Sequence, residues 1–158
     1  MTQRKYFLNY TTKVEASRSI AEISQMLAKF GARKIMHDYD NNGAIVALSF
    51  SLVLDLDNGG EIAFRLPTDW RPVQQIIAEI RKGNTKLSRD VLTEEHAQNV
   101  AWRITKDWVE AQLALLETKM VTLPQLFLPY AVTSDGNTLY ERIAQQPGLF
   151  LGAGSGQN

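Results

Sequence analysis

The sequence predicts an α+β fold, in which helices pack on one face of an antiparallel meander sheet and a long C-terminal helix completes the core. Two features of the chain predict this class. Three strand-like runs are separated by the turn-forming clusters DNNG at 40–43 and DNGG at 57–60. Further along, residues 94–120 carry apolar side chains at alternating steps of four and three, the spacing of one helix face.

The meander has the most regular β pattern in the chain. Apolar side chains occupy every second position from 46 to 56 and again from 62 to 66. A period of two places alternate side chains on opposite faces of a strand, so one face of the sheet is expected to be wholly apolar. Asn42-Gly43 supplies the positive φ angles of a two-residue hairpin turn, and the glycines at 59–60 serve the second turn.

A strand and two helices are expected around the meander. Residues 5–13 are rich in aromatic and β-branched types and predict a first strand, which either pairs beside the meander or offers a free edge to a partner. A helix follows, capped by Ser17 or Ser19 and ended by Gly31. After the meander, Thr68 or Asp69 is expected to cap a second helix.

The long helix carries its apolar side chains in two neighbouring rows. One row contains Trp108 and is composed of Ala97, Ala101, Ile104, Trp108, Ala111 and Leu115. The other contains Trp102 and is composed of Trp102, Val109, Leu113, Leu116 and Met120. We expect Trp108 to be buried against the sheet, and Trp102 to be half covered and a candidate contact in a homo-oligomer.

The C-terminal part is expected to end in short elements. Two prolines five residues apart, at 124 and 129, limit helix formation to a turn or two. The segment TLYERIAQQ predicts a last helix with Leu139, Tyr140 and Ile143 facing the body. The chain is therefore expected to form a single α+β domain over residues 1–146, followed by a flexible tail over 147–158.

Composition excludes several classes of protein. The 158 residues are 44% hydrophobic and 22% charged, which is typical of a globular domain that buries a single core. The absence of cysteine excludes thiolate nucleophiles, zinc fingers and iron–sulfur clusters. No apolar run approaches the roughly 18 residues of a membrane span, and the first residues lack the apolar region of a signal peptide. We expect a cytoplasmic protein of the host cell with no membrane partner.

The candidate sites for chemistry are incomplete. Asp38, Asp40, Asn42 and Gly43 match the opening of a calcium-binding loop, but Ser49 stands where the bidentate glutamate belongs, so a hairpin turn is the better interpretation. The histidines, at 37 and 96, lie in separate elements. The acidic residues at 55, 57 and 61 surround a turn and have a solvated turn as the alternative to acid/base chemistry. The sequence predicts no enzyme, no metal site and no cofactor.

Charge is distributed unevenly although the net charge is zero. Residues 1–34 have a surplus of five positive charges, and residues 35–70 have a surplus of five negative charges. Basic and aromatic residues interleave near the N-terminus, a mixture that binds single-stranded nucleic acid, although solvated charges and core aromatics explain it as well. The candidate nucleic-acid-binding residues are Arg4, Lys5, Tyr6, Tyr10, Lys13, Arg18, Arg33 and Lys34.

Six segments give the chain a family resemblance. They are VEASRSIAEI, AIVALSFSL, IAFRLP, VAWRITKDWVEAQLALLE, LFLPY and GNTLYERI. From about residue 10 to residue 143 the chain resembles a family of small proteins of bacteriophages, prophages and other bacterial mobile elements. The resemblance implies a setting near phage replication and recombination functions, and it implies no enzymatic activity.

Two functions are expected from these features. The first is a non-enzymatic accessory protein of DNA replication or recombination, which binds single-stranded nucleic acid or a replication or recombination protein through the basic N-terminal segment. The second is a protein-binding inhibitor or modulator of a host defence or transcription factor. Acidic side chains at the turns of the meander would serve this second function, namely Asp38, Asp40, Asp55 and Asp57.

Overall fold

A computed structural model describes residues 6–54, 59–146 and 148 of the chain. Its elements are, in order, α1 (Ala16–Lys29), β1 (Lys34–Tyr39), β2 (Ile45–Val53), β3 (Glu61–Arg65), α2 (Arg71–Gly83), α3 (Glu94–Glu117), α4 (Leu123–Phe127) and α5 (Leu139–Ala144). Short 3₁₀ turns occur at Arg89–Leu92 and Leu128–Tyr130. The predicted α+β class, the meander and the long helix are confirmed. The predicted tail, apart from Gly148, lies outside the described residues.

The sheet is an antiparallel meander in the order β1-β2-β3. Phe50 on the middle strand pairs with Ile35 on one side and with Phe64 on the other, so three apolar side chains lie in a row on the same face. The register shifts by one residue between Asp38 and Tyr39. Val46 is the extra residue of this bulge, so the bulge bends the start of β2 and leaves the alternation of β1 intact.

The first turn of the meander is longer than the sequence predicts. Five residues, 40–44, connect β1 to β2, where a two-residue hairpin was expected. The carboxylate of Asp40 closes this loop, because its Oδ1 accepts hydrogen bonds from the backbone N–H groups of Asn42 at 2.8 Å and Ala44 at 2.9 Å. Gly43 has a φ of +79° and supplies the left-handed position. The side chain of Asp40 thus competes successfully with a tighter backbone turn.

The main core lies between the sheet and the helices α1 and α3. The Phe50 and Phe64 rings stack at 5.2 Å, and the Phe127 ring of α4 meets Phe50 edge-on at 5.3 Å. Helix α1 begins after Glu15, ends before Phe30 and contributes an apolar stripe with the helical spacing predicted for it. The buried residues of this core include Ile20, Ile23, Leu27, Leu48, Phe50, Leu52, Phe64, Leu66, Trp102, Val109, Leu113, Leu123 and Phe127.

Helix α2 packs on α3 and not on the sheet. Its buried Ile77 meets Val91 and Val100 in a second, smaller core. Helices α1 and α3 lie on one face of the sheet, as predicted, and α2 is a further layer packed on α3. Helix α2 has the predicted apolar stripe, but a stripe does not determine which neighbouring element covers it. In this fold the long helix α3 covers it.

The N-terminal segment is not a strand. The residues described from 6 to 15 contain no strand, so the predicted first strand is wrong. Phe7 and Tyr10 stack on each other with ring centroids 6.3 Å apart and pack against the second core. The Tyr10 carbonyl accepts a hydrogen bond from His96 Nε2 at 2.7 Å, which ties the segment to α3. Its aromatic residues therefore serve helix packing, where their β propensity has no influence.

The two tryptophans of α3 have exchanged the roles that the sequence predicts. Trp102 is only 2% exposed and donates its indole N–H to the Ile45 carbonyl at 3.3 Å. Trp108 is half-buried and lies edge-on to Phe127 and Tyr130 at 5.5 and 5.4 Å. Trp102, Val109 and Leu113 of one row lie in the main core, whereas Ile104 of the other row packs against the second core. Trp102 is therefore a core residue and no oligomer contact.

The segment after α3 covers one edge of the sheet. Prolines limit α4 to five residues, as predicted, and the chain then runs beside β3, where Val132 N–H donates to the Ala63 carbonyl at 2.8 Å. Leu139 of α5 packs on the main core, but Tyr140 is 65% exposed, against the prediction that it faces the body. Among the described helices, none has both the length and the apolar character needed to cross a membrane.

Candidate functional site

Those of the predicted nucleic-acid-binding residues that the structure describes do not lie on one continuous surface. Arg4 and Lys5 lie outside the described residues. Tyr6 is 87% exposed, Tyr10 is half-buried in its stack with Phe7, and Lys13 is exposed just before α1. The 14 residues of α1 span about 20 Å. This length separates Lys13 and Arg18 at one end of the helix from Arg33 and Lys34 beyond the other.

Two of these basic side chains already have acidic partners. Arg18 pairs with Glu22 at 3.2 Å, and Glu22 also pairs with Arg103 of α3 at 2.9 Å. Burial alone would raise the pKa of Glu22, but the hydrogen bond from Arg18 and the charge of Arg103 outweigh it, and the pKa is lowered. Lys34 pairs with Glu61 at 3.0 Å. Because each already pairs with a carboxylate, Arg18 and Lys34 have less positive charge to offer a nucleic-acid phosphate.

The sheet has a second face, which the described helices do not cover. Side chains on this open face come from alternate positions of all three strands, and those at its centre are small. It consists of Lys34, Met36 and Asp38 on β1, Ala47, Ser49, Ser51 and Val53 on β2, and Glu61, Ala63 and Arg65 on β3. Apolar side chains lie exposed on it, since Met36 is 61% and Val53 57% accessible.

Small side chains make a trough across the open face. The depression has a volume of about 300 Å³, with Ser49, Ser51 and Ala63 at its floor and Lys34, Met36 and Glu61 at its sides. Serine and alanine end within one or two bonds of the backbone, whereas the flanking side chains are long. A protruding side chain of another molecule would therefore fit between the long flanking side chains.

An ion pair crosses one end of this trough. Lys34 on β1 reaches over Ser51 to Glu61 on β3, and the Ser51 hydroxyl donates to Glu61 Oε1 at 2.5 Å. The hydrogen bond from Ser51, followed by that from Lys34, lowers the pKa of Glu61. Both hydrogen bonds favour the ionised carboxylate, so Glu61 keeps its negative charge to a lower pH than a free glutamate does. At the other end, Arg65 Nη2 donates to the Gly136 carbonyl at 3.0 Å.

The described residues bring no cluster of metal-binding side chains together. They contain no group of three or more His, Asp or Glu side chains that could hold a metal ion. Asp40 uses its carboxylate to close the loop between β1 and β2, which accounts for the calcium-loop likeness. Of the acidic residues around the second turn, Asp55 and Asp57 lie outside the described residues and Glu61 belongs to the ion pair with Lys34.

The sequence analysis missed the open face as a surface, although its signal is present. The same period of two that marks the apolar core positions leaves small residues at 47, 49 and 51 on the middle strand. Three small side chains in succession on the solvent-facing side of a strand leave a depression beside the longer side chains of the flanking strands, such as Met36 and Arg65.

Comparison with known proteins gives no relative from which to take a function. No protein-family model matches the chain, and neither curated proteins nor solved structures give a significant match.

Proposed function

We propose that this chain is a non-enzymatic accessory protein that binds a partner protein through the open face of its sheet. The partner would be a replication or recombination protein or a host factor. The bacteriophage or mobile-element setting of this proposal rests on the family resemblance of the sequence. The trough across the open face is the single observation that carries the proposal.

The chemistry of the open face favours a protein as its ligand. Exposed apolar side chains, Met36 and Val53, lie next to small polar ones and to the Lys34–Glu61 ion pair. Protein interfaces likewise combine apolar, polar and charged side chains in one patch. Nucleic-acid-binding sheets, in contrast, stack bases on aromatic side chains, and the ten positions of this face carry none.

Enlarging the floor of the trough tests the proposal. Ser49→Arg and Ala63→Arg each place a long side chain where the partner is expected to sit, while their Cα positions stay on an accessible face. In pull-downs from nuclease-treated host lysate, we expect a stoichiometric protein partner with the parent chain and at least a tenfold loss of it with either variant, equivalent to about 1.4 kcal/mol.

The matched control adds the same charge elsewhere. Gln75 is exposed on α2, so Gln75→Arg should capture the partner as the parent does. If Ser49→Arg and Ala63→Arg fold normally by circular dichroism and retain the partner fully, the open face is not the binding surface.

Single-stranded nucleic acid is the second candidate ligand. The observation in its favour is the 87% exposed ring of Tyr6, which lies in the same N-terminal segment as the exposed Lys13. Fluorescence anisotropy with labelled oligonucleotides would detect binding that weakens as salt rises, because phosphate contacts release counterions. No binding at low salt would eliminate this candidate and leave the protein partner.

A further inference from the structure

The outer edge of β1 has free backbone hydrogen-bonding groups. On β2 the even-numbered residues bond to the β3 side, as in the Leu66 N–H to Leu48 carbonyl bond of 3.0 Å, so the odd-numbered ones bond to β1. Because Met36 pairs with Ser49, the backbone groups of Ile35 and His37 point outward. No described segment forms a backbone hydrogen bond with them. The opposite edge, on β3, is covered by Val132.

We infer that β1 pairs with β1 of a second copy of this chain, antiparallel and around a two-fold axis at Met36. The outward backbone groups of Ile35 in one copy would then bond those of His37 in the other. Met36 of each copy would face its counterpart, in the type of pair that brings side chains closest. This inference goes beyond the proposed function, which needs no second copy.

Charge selects the register of the pairing. With the axis at Met36, Lys34 of each copy lies opposite Asp38 of the other, and both contacts join opposite charges. An axis at Lys34 would oppose two lysines, and an axis at Asp38 would oppose two aspartates. An axis at Ile35 would leave both charges without a charged neighbour. An axis at His37 would place Lys34 opposite Asp40, whose carboxylate already closes the loop between β1 and β2, and would leave Asp38 opposite Met36. Only the axis at Met36 places both Lys34 and Asp38 of β1 opposite a residue of opposite charge on the partner strand.

The other side of β1 is complementary in the same register. Arg33 of one copy lies opposite Tyr39 of the other, and both are exposed, Tyr39 at 62%. A guanidinium over a tyrosine ring is a favourable cation–π contact. In this register Lys34 would exchange Glu61 for Asp38 of the second copy, because Glu61 on β3 and the second copy lie on opposite sides of β1, too far apart for one ammonium group to contact both carboxylates.

The pairing would join two meanders into one six-stranded antiparallel sheet. It would cover the edge that otherwise invites uncontrolled association, and as an isologous contact it stops at two copies. The two open faces would become continuous across the axis.

Charge reversal tests the register directly. Light scattering or sedimentation of the purified parent chain is expected to give the mass of a dimer. Lys34→Asp places two pairs of aspartates in contact, and Asp38→Lys places two pairs of lysines in contact. Either variant should weaken dimerisation about tenfold or more. The double variant K34D/D38K restores both opposite-charge pairs and should dimerise like the parent.

Mixing the two single variants provides a sharper test. Each should be largely monomeric alone, but Lys34→Asp with Asp38→Lys brings opposite charges together at both contacts, so the mixture should form a heterodimer. Lys82→Asp, an exposed change on α2, is the control and should leave the dimer intact. A monomeric parent chain, or single variants that dimerise as well as the parent, would overturn the inference.

Discussion

Replacing Trp102 with alanine is expected to lower the free energy of unfolding by about 3 to 5 kcal/mol, the usual effect of truncating a buried aromatic residue. Trp102 is 2% exposed in the main core, and its indole N–H is bonded to the Ile45 carbonyl at the start of β2. The substitution would leave a cavity and an unpaired carbonyl together. Since a domain has about 5 to 15 kcal/mol in total, the variant would be close to unfolding at moderate denaturant.

Equilibrium denaturation in urea measures this difference, and Trp108→Ala is the matched control. Trp108 is half-buried beside Phe127 and Tyr130, so its truncation should cost clearly less than that of Trp102. If the Trp108 variant were the less stable of the two, the orientation of α3 described above would be incorrect.

Phe127→Ala is expected to destabilise the fold by a similar amount, about 3 to 5 kcal/mol. The ring is fully buried and lies edge-on to Phe50 of the sheet at 5.3 Å and to Trp108 of α3 at 5.5 Å. It thus attaches the C-terminal segment to both layers of the core. Without this ring, the segment that runs beside β3 should also be held less tightly. The Val132 N–H should then exchange faster with solvent.

The neighbouring residue serves as the control for this prediction. Leu128 is 48% exposed, so Leu128→Ala should change the free energy of unfolding by much less than Phe127→Ala. Urea denaturation gives the stabilities, and amide hydrogen exchange reports on Val132. Unchanged exchange at Val132 in a clearly destabilised Phe127 variant would mean that the edge strip is held by other contacts.

The meander and the long helix could be predicted because their signals are local. Alternation on either side of Phe50 and Phe64 fixes which face each strand buries, and the glycines mark the turns between them. Helical spacing likewise identifies the apolar sides of α1 and α3. Each of these follows from the period of the backbone and does not depend on distant parts of the chain.

The failures concern the choice of neighbour. The wide apolar face of α3 has two sides, and only the assembled fold decides that Trp102 meets the sheet while Ile104 meets the second core. Phe7 and Tyr10 have high β propensity, but packing against α2 and α3 decides their conformation. Side-chain periodicity specifies a buried face and leaves open what buries it.

The candidate site was partly predictable. Lys34 was predicted to bind nucleic acid, which stays a prediction; its place at the margin of the trough and its pairing with Glu61, 27 positions away in sequence, were not predicted. The small floor residues Ser49 and Ser51 stand at predictable positions. They can contact a ligand because no described helix lies over them, and this cannot be read from the sequence.

Site-directed photo-cross-linking tests the role of the open face most directly. The chain has no cysteine, so Ser49→Cys and, as a control on α2, Gln75→Cys each give one attachment point for a photoreactive maleimide. In nuclease-treated host lysate, we expect a product of one defined mass from the label at position 49 and none from position 75. Cross-linking of a partner from position 75 with none from position 49 would contradict the proposed function.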